Sequence, residues 1–256
     1  MRRKLAIATW RPSTDGRIYT RVAVDATALL AYVKQTRAET GARVTITHVV
    51  GAAMGRALRA SPELRARVVF GRIVQSERCD VGFAVDIDGG TDLAPAVVRA
   101  VDRLSPADVA RELEAQTSSL RSGADVGHRR TSLLVRLAPW WVLRPVLSGA
   151  GLLVSGFGVA AFGQRSFPTG SAFVSNVGSL GLDEAYLAPL PFARVPVYLA
   201  VGAVRDAAMV VDGEVVVRPQ LVVVATADHR LVDGAHAGQI VRIVRALLAD
   251  PWQLDT

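Results

Sequence analysis

Asp228-His229-Arg230-Leu231-Val232-Asp233-Gly234 closes one apolar run and opens another. Upstream, Glu214–Thr226 is rich in valine and reads as a strand. Downstream, Ala237, Ile240, Val241, Val244 and Leu248 recur at helical spacing until Asp250-Pro251 ends the pattern. His229 therefore falls at a strand-to-helix junction. A strand end can present a neutral imidazole rigidly to a cleft, and such an imidazole removes a proton from a thiol or hydroxyl near pH 7. Asp233 occupies the cap position of the closing helix, where backbone N–H groups and the helix dipole keep a carboxylate ionised. Gly234 allows close backbone approach in the turn. Taken alone, the pattern fits a catalytic base or an ordinary Asp cap beside a core histidine equally well.

Outward from this junction the chain alternates strands and helices. Arg17–Val24 reads as a strand, and Asp25 caps a helix running to about Thr40 with Leu29, Leu30 and Val33 on one face. A second helix spans about Thr45–Arg59 and ends at Ser61-Pro62. Strands follow at Val68–Gln75 and Asp80–Ile87. Ser105 caps another helix, with Pro106 at its first position and Asp108 three residues after the cap. Ser171–Asn176 and Val195–Val204 complete the strands. No internal repeat or interdomain linker interrupts residues 1–256, so the expectation is one mixed α+β domain.

Composition narrows the function classes. Half of the 256 residues are hydrophobic, which implies extra burial between subunits or in a lipophilic pocket. The net charge is +7, carried almost wholly by arginine, since Lys4 and Lys34 are the only lysines. These arginines are scattered, without a basic run or interleaved aromatics, which argues against nucleic acid as a partner. A single cysteine, Cys79, excludes an intramolecular disulfide and a multi-cysteine zinc site and fits a reducing compartment, so the reading is cytoplasmic, with no metal. The basic start Met1-Arg2-Arg3-Lys4 lacks the apolar run of a signal peptide. Nucleophile elbows, phosphate-binding loops and dinucleotide fingerprints are missing, which removes the common hydrolase, kinase and dehydrogenase readings. His48, His128 and His236 read as core or surface residues, and Cys79 as a structural thiol.

One block stands apart. Pro145–Gln164 carries no charge and nearly matches a membrane span in length, yet Gly149, Gly151, Gly156, Gly158 and Gly163 lie within it. The wider stretch, about 131–167, is expected to be an apolar helical insertion that lines a pocket or packs subunits. A peripheral membrane contact is the alternative, and Trp140 and Trp141 suit an interface.

The junction motif resembles that of the dihydrolipoamide acyltransferases of 2-oxoacid dehydrogenase complexes, whose fold chloramphenicol acetyltransferase shares. The family's Asp-His-Arg-x-x-Asp-Gly-Ala is present without departure as Asp228 through Ala235. Gly170-Ser171-Ala172-Phe173-Val174-Ser175-Asn176-Val177-Gly178 is similar to the family's Gly-Thr-Phe-Thr-(Ile/Val)-Ser-Asn-Leu-Gly strand. Cys79–Asp86 and Leu93–Arg99 resemble a third conserved pair of strands.

The resemblance implies a chloramphenicol acetyltransferase-like two-layer α+β fold with a mixed sheet and packed helices. It implies acyl transfer between a thioester and a thiol or hydroxyl, with His229 as base, Asp233 beside it and Ser175 holding the oxyanion. Asp228, Arg230, Gly234 and Asn176 would support the site. Acyl-CoA is the implied substrate. The chain shows no lipoyl attachment domain of its own, so a separate lipoyl or carrier protein would meet it. The family geometry implies a homotrimer, or a larger assembly of trimers, with His229 and Ser175 supplied by neighbouring chains. One of Arg2, Arg3 and Arg11 would pair with the motif's aspartate. A non-catalytic oligomeric scaffold of the same fold, peripheral to a membrane or not, is the competing reading.

Overall fold

The computed structural model describes residues 16–86, 93–121, 138–161 and 167–255. The chain enters as β1 (Arg17–Asp25), followed by helices α1 (Thr27–Thr40) and α2 (Ile46–Ala60). The short strands β2 (Arg67–Val69) and β3 (Arg72–Val74) precede β4 (Val81–Asp86) and β5 (Leu93–Val98). Helix α3 (Pro106–Arg121) and helix α4 (Trp140–Gly151) come next. The last part comprises β6 (Ala172–Asn176), β7 (Val197–Val201), β8 (Arg205–Val211), β9 (Glu214–Asp228) and α5 (Gly234–Ala249).

The main sheet runs β1-β9-β7-β6-β4-β5, with β8 paired to the first half of β9. The β4–β6 and β6–β7 pairs are parallel and the others antiparallel. Period-two alternation sends Val174, Leu199, Val223 and Ala227 to one face, where they meet Leu29 and Tyr32 of α1, Val49 and Met54 of α2, Val109 of α3 and Ile240 of α5. The other face is covered by the segment between β6 and β7, through Val177, Leu187, Ala193 and Val195. Helix α2 lies close on the sheet because Gly51 leaves room for the Phe83 ring; a Cβ there would sit 2.4 Å from it.

The expected mixed sheet with packed helices is what forms, and the local readings mostly hold. Ser105 caps α3, accepting from the Asp108 N–H at 3.2 Å. Asp25 accepts from the Thr27 N–H at 2.8 Å but stands one residue outside the cap position, which Ala26 fills. Two further readings need correction. Val68–Gln75 is not one strand but the β2–β3 hairpin, turned by Phe70 and Gly71 at φ of 48° and 74°. Leu30 faces solvent, and Tyr32 takes its place in the core. Strand β8 was not anticipated. In the apolar block, α4 runs on through a π-helical turn, Leu152–Gly156, with its inner side seated on Phe192. Residues 131–137 and 162–166 of that block lie outside the described residues, as does His128. No helix among the described residues is long and apolar enough to cross a membrane.

Candidate active site

The second half of β9 is held on both sides, by β1 and by β7, and His229 is the next residue after it. Its own N–H donates to the Gly16 carbonyl at 3.2 Å, while the Asp228 N–H donates to the Pro196 carbonyl at 2.9 Å. The imidazole Nδ1 lies 2.9 Å from the Val232 carbonyl. A carbonyl can only accept, so Nδ1 carries the proton and the Nε2 lone pair is left available. The ring is exposed in a groove of about 550 Å³ formed by Ile18–Val22 of β1 and by Gly234, Ala237, Gly238 and Val241 of α5.

The other motif residues brace this arrangement. Burial pushes the Asp228 carboxyl up, but hydrogen bonds from Arg230 and its charge more than offset this, so it lies below the usual carboxylate range. Arg230 Nε and Nη2 donate to the two Asp228 oxygens at 2.9 Å and 2.5 Å. Asp233 is the N-cap of α5: it accepts from the His236 N–H at 3.0 Å, and its own N–H donates to His236 Nδ1 at 3.3 Å. That backbone donor is the main reason its carboxyl is held below the ordinary value. Arg2, Arg3 and Arg11, the candidates for an arginine partner of the motif aspartate, lie outside the described residues.

Ser175 lies elsewhere. It alternates with core-facing Val174 and so shares the sheet face of Phe173, opposite the helices, half-buried and with no hydrogen bond to its hydroxyl among the described residues. Its sheet partner is Ala200, which in turn pairs with Val224, five positions before His229. At strand spacings this puts Ser175 roughly 19 Å from His229 in one chain. The two are not brought together within a single subunit. Asn176 anchors the end of β6: Nδ2 donates to Thr47 Oγ1 at 2.9 Å, and Oδ1 accepts from the Ser179 N–H at 3.0 Å.

Thr47 opens α2, whose first turn is closed by His48. The Thr45 N–H donates to His48 Nδ1 at 3.0 Å, so this ring is neutral. Burial, with the nearby Arg37 charge, lowers its pKa to about 4. His48 and His236 thus both close helix starts, a role the sequence reading of core or surface residues missed. Thr45-x-x-His48 and Asp233-x-x-His236 share the spacing of a capping box, which was the available signal. Cys79 is buried, with its thiol pushed up by that burial. Among the described residues no three His, Cys, Asp or Glu side chains gather to hold a metal ion.

The model of the 2-oxoacid dehydrogenases acyltransferase (catalytic domain) family matches residues 11–125 and 162–255. The chain belongs to this family. The unmatched interval, 126–161, contains α4. Among curated relatives, the dihydrolipoyllysine-residue acetyltransferase component of the pyruvate dehydrogenase complex of Bacillus subtilis is 27% identical over 89% of this chain. The chain spans 43% of that relative's length. Among solved structures, dihydrolipoamide acetyltransferase of Azotobacter vinelandii superposes with a TM-score of 0.68 at 19% identity, covering 100% of this chain and 87% of that one. In that enzyme, roles in catalysis have been investigated for a serine, a histidine and an asparagine four residues after the histidine. A chloramphenicol acetyltransferase matches with a TM-score of 0.51 at 14% identity, over 96% of this chain and 94% of that one. As an acyltransferase-family domain, this chain therefore has the expected chloramphenicol acetyltransferase-like fold.

Proposed function

We propose that this chain moves an acyl group between two thiols, CoA on one side and a dihydrolipoyl or carrier-protein thiol on the other. The observation that carries the reading is the His229 ring, with Nδ1 committed to the Val232 carbonyl and Nε2 left to an open groove. Nε2 takes the proton from the incoming thiol. The sulfur attacks the thioester carbonyl carbon, and the resulting oxyanion accepts a hydrogen bond from Ser175. Collapse breaks the original C–S bond, and His229 returns its proton to the departing sulfur. Asp233 fixes the start of α5, which forms one wall of the groove.

Because Ser175 and His229 of one chain are so far apart, we infer a homotrimer in which neighbouring chains complete each site, alone or within a larger assembly. Residues 1–256 are read as one catalytic domain with an inserted helical segment at about 131–167, a reading favoured by the family match resuming only at 162. We place the protein in the cytoplasm, where a separate lipoyl-bearing protein would supply the second thiol.

Purified protein given acetyl-, butyryl- or longer acyl-CoA and dihydrolipoamide is expected to release CoA, read with a thiol reagent. His229→Ala is expected to lower that rate by about 10²–10⁴-fold. Equal turnover by parent and variant would remove the reading.

A further inference from the structure

Surface helices of water-soluble folds turn polar side chains outward. Helix α4 is mostly apolar on its outward side as well. Leu143 and Gly151 point inward, and a Cβ at Gly151 would stand 2.6 Å from Phe192. Outward point Trp140, Trp141, Pro145, Val146, Ser148, Gly149 and, on the following turn, Leu153, and the half-exposed Arg144 is the one charge on the helix. Beside them the tip of the β2–β3 hairpin continues the surface. Phe70 is 75% exposed and Ile73 63%, and the Phe70 ring lies 6.0 Å from that of exposed Phe157. Two separate chain segments thus build one apolar, aromatic face.

Its charges have a single sign. Residues 65–75 and 138–161 hold Arg65, Arg67, Arg72 and Arg144 and no carboxylate. Behind the hairpin, buried Arg67 lies 3.8 Å from the centre of the Phe167 ring, without a carboxylate in ion-pair distance among the described residues. Burial and the neighbouring Arg78 lower its pKa to about 10, so it stays a cation at neutral pH. Apolar side chains, tryptophan and arginine without acidic residues are what the boundary of an anionic bilayer accepts. A second copy of the same face would bring arginine against arginine.

The face also lies at the His229 end of the sheet. Arg194, which donates to the Val68 carbonyl at 2.5 Å, stands two residues before Pro196, the acceptor for Asp228.

We propose that this face, Phe70, Ile73, Trp141, Val146 and Phe157 with Arg72, docks the protein on anionic lipid. Amphiphilic acyl donors or acceptors would then meet the groove from the membrane side. Docking itself does not depend on the catalytic reading and is tested without turnover.

The test is flotation of the full chain with vesicles of phosphatidylcholine and phosphatidylglycerol, against phosphatidylcholine alone. The protein is expected to float with the anionic vesicles, and Phe70→Ser with Trp141→Ser to reduce the bound fraction at least ten-fold. Val210→Ser with Val215→Ser, on the exposed β8–β9 hairpin, is expected to float like the parent. Should the double variant fold poorly, brominated phosphatidylglycerol added to the intact protein is expected to quench its tryptophan emission. No flotation at low salt, equal flotation of the Phe70 and Trp141 variant, or no quenching would overturn the proposal. So would conversion of that variant to a smaller species with vesicle binding unchanged, which would assign the face to self-contact.

Discussion

Acid should weaken this fold through His48 in particular. The ring is neutral in the native state, with a pKa lowered from 6.5 to about 4 by burial and by Arg37, and its Nδ1 accepts from the Thr45 N–H. A histidine whose native pKa lies below its unfolded value contributes stability that is fully present above the unfolded pKa. That stability is lost as pH falls from about 6.5 towards 4, because over this window the unfolded chain binds the extra proton. The whole shift corresponds to about 3 kcal/mol, and linkage assigns about 2 kcal/mol of it to the interval between pH 7 and pH 5. His48→Gln isolates the effect. Glutamine at the third helical position still accepts from the cap N–H, as in a Thr-x-x-Gln capping box, but does not titrate. Urea unfolding of both proteins at pH 7 and pH 5 gives a double difference in which other titrating groups cancel. The variant is expected to lose about 2 kcal/mol less than the parent over that interval. Parallel losses would refute the reasoning. Because Thr47 holds Asn176 beside Ser175, activity at pH 5 should fall with the same dependence on residue 48.

Other outcomes follow from contacts described above. Ser175→Ala should lower kcat by about 10²-fold with little change in KM for acyl-CoA, measured in the same release assay. Co-expressed His229→Ala and Ser175→Ala chains, each at about one hundredth of parental activity or less alone, should regain about one quarter of it if sites form between random trimer neighbours; activity no greater than that of the separate variants would argue against a shared site. Asp80→Ala removes a buried carboxylate that accepts from Arg99 at 2.5 Å and from the Ala100 N–H at 3.1 Å. It should cost on the order of 3 kcal/mol in urea unfolding. Gly151→Val drives a side chain into Phe192 and should cost about 2 kcal/mol, with a shift in tryptophan emission as α4 lifts from its seat.

The parts of the fold readable beforehand are those whose burial imposes a period. Helix α5 announces itself because one face lies in the core, β9 because its second half is buried on both faces and reads as a run of valines, and Ser105-Pro106 marks the start of α3 by local chemistry alone. Strand β8 was missed because neither side of it is buried: its residues alternate only between exposed and half-buried, with Val210 72% exposed, so its sequence carries no apolar–polar alternation. The β2–β3 turn was hidden because phenylalanine is a poor choice for a positive φ, and Phe70 adopts one at 48°. At the site, His229 and Asp233 were legible because the motif is local. The second wall of the groove, Ile18–Val22, has no chemical signature. The separation of Ser175 from His229 depends on strand order, which no short motif encodes.

Strand β9 is fifteen residues long and serves two partners in succession, β8 first and then the β1–β7 pair. A side chain placed directly after such a strand inherits its immobility. Sliding β9 by one position would carry residue 229 about 3.4 Å and turn every inward valine outward, a penalty no ligand repays. On the proposed mechanism, control over reaction would therefore come from the movable boundary of the groove, the approach of an adjoining protomer or carrier, while the imidazole stays a stationary post against which both reactants are brought.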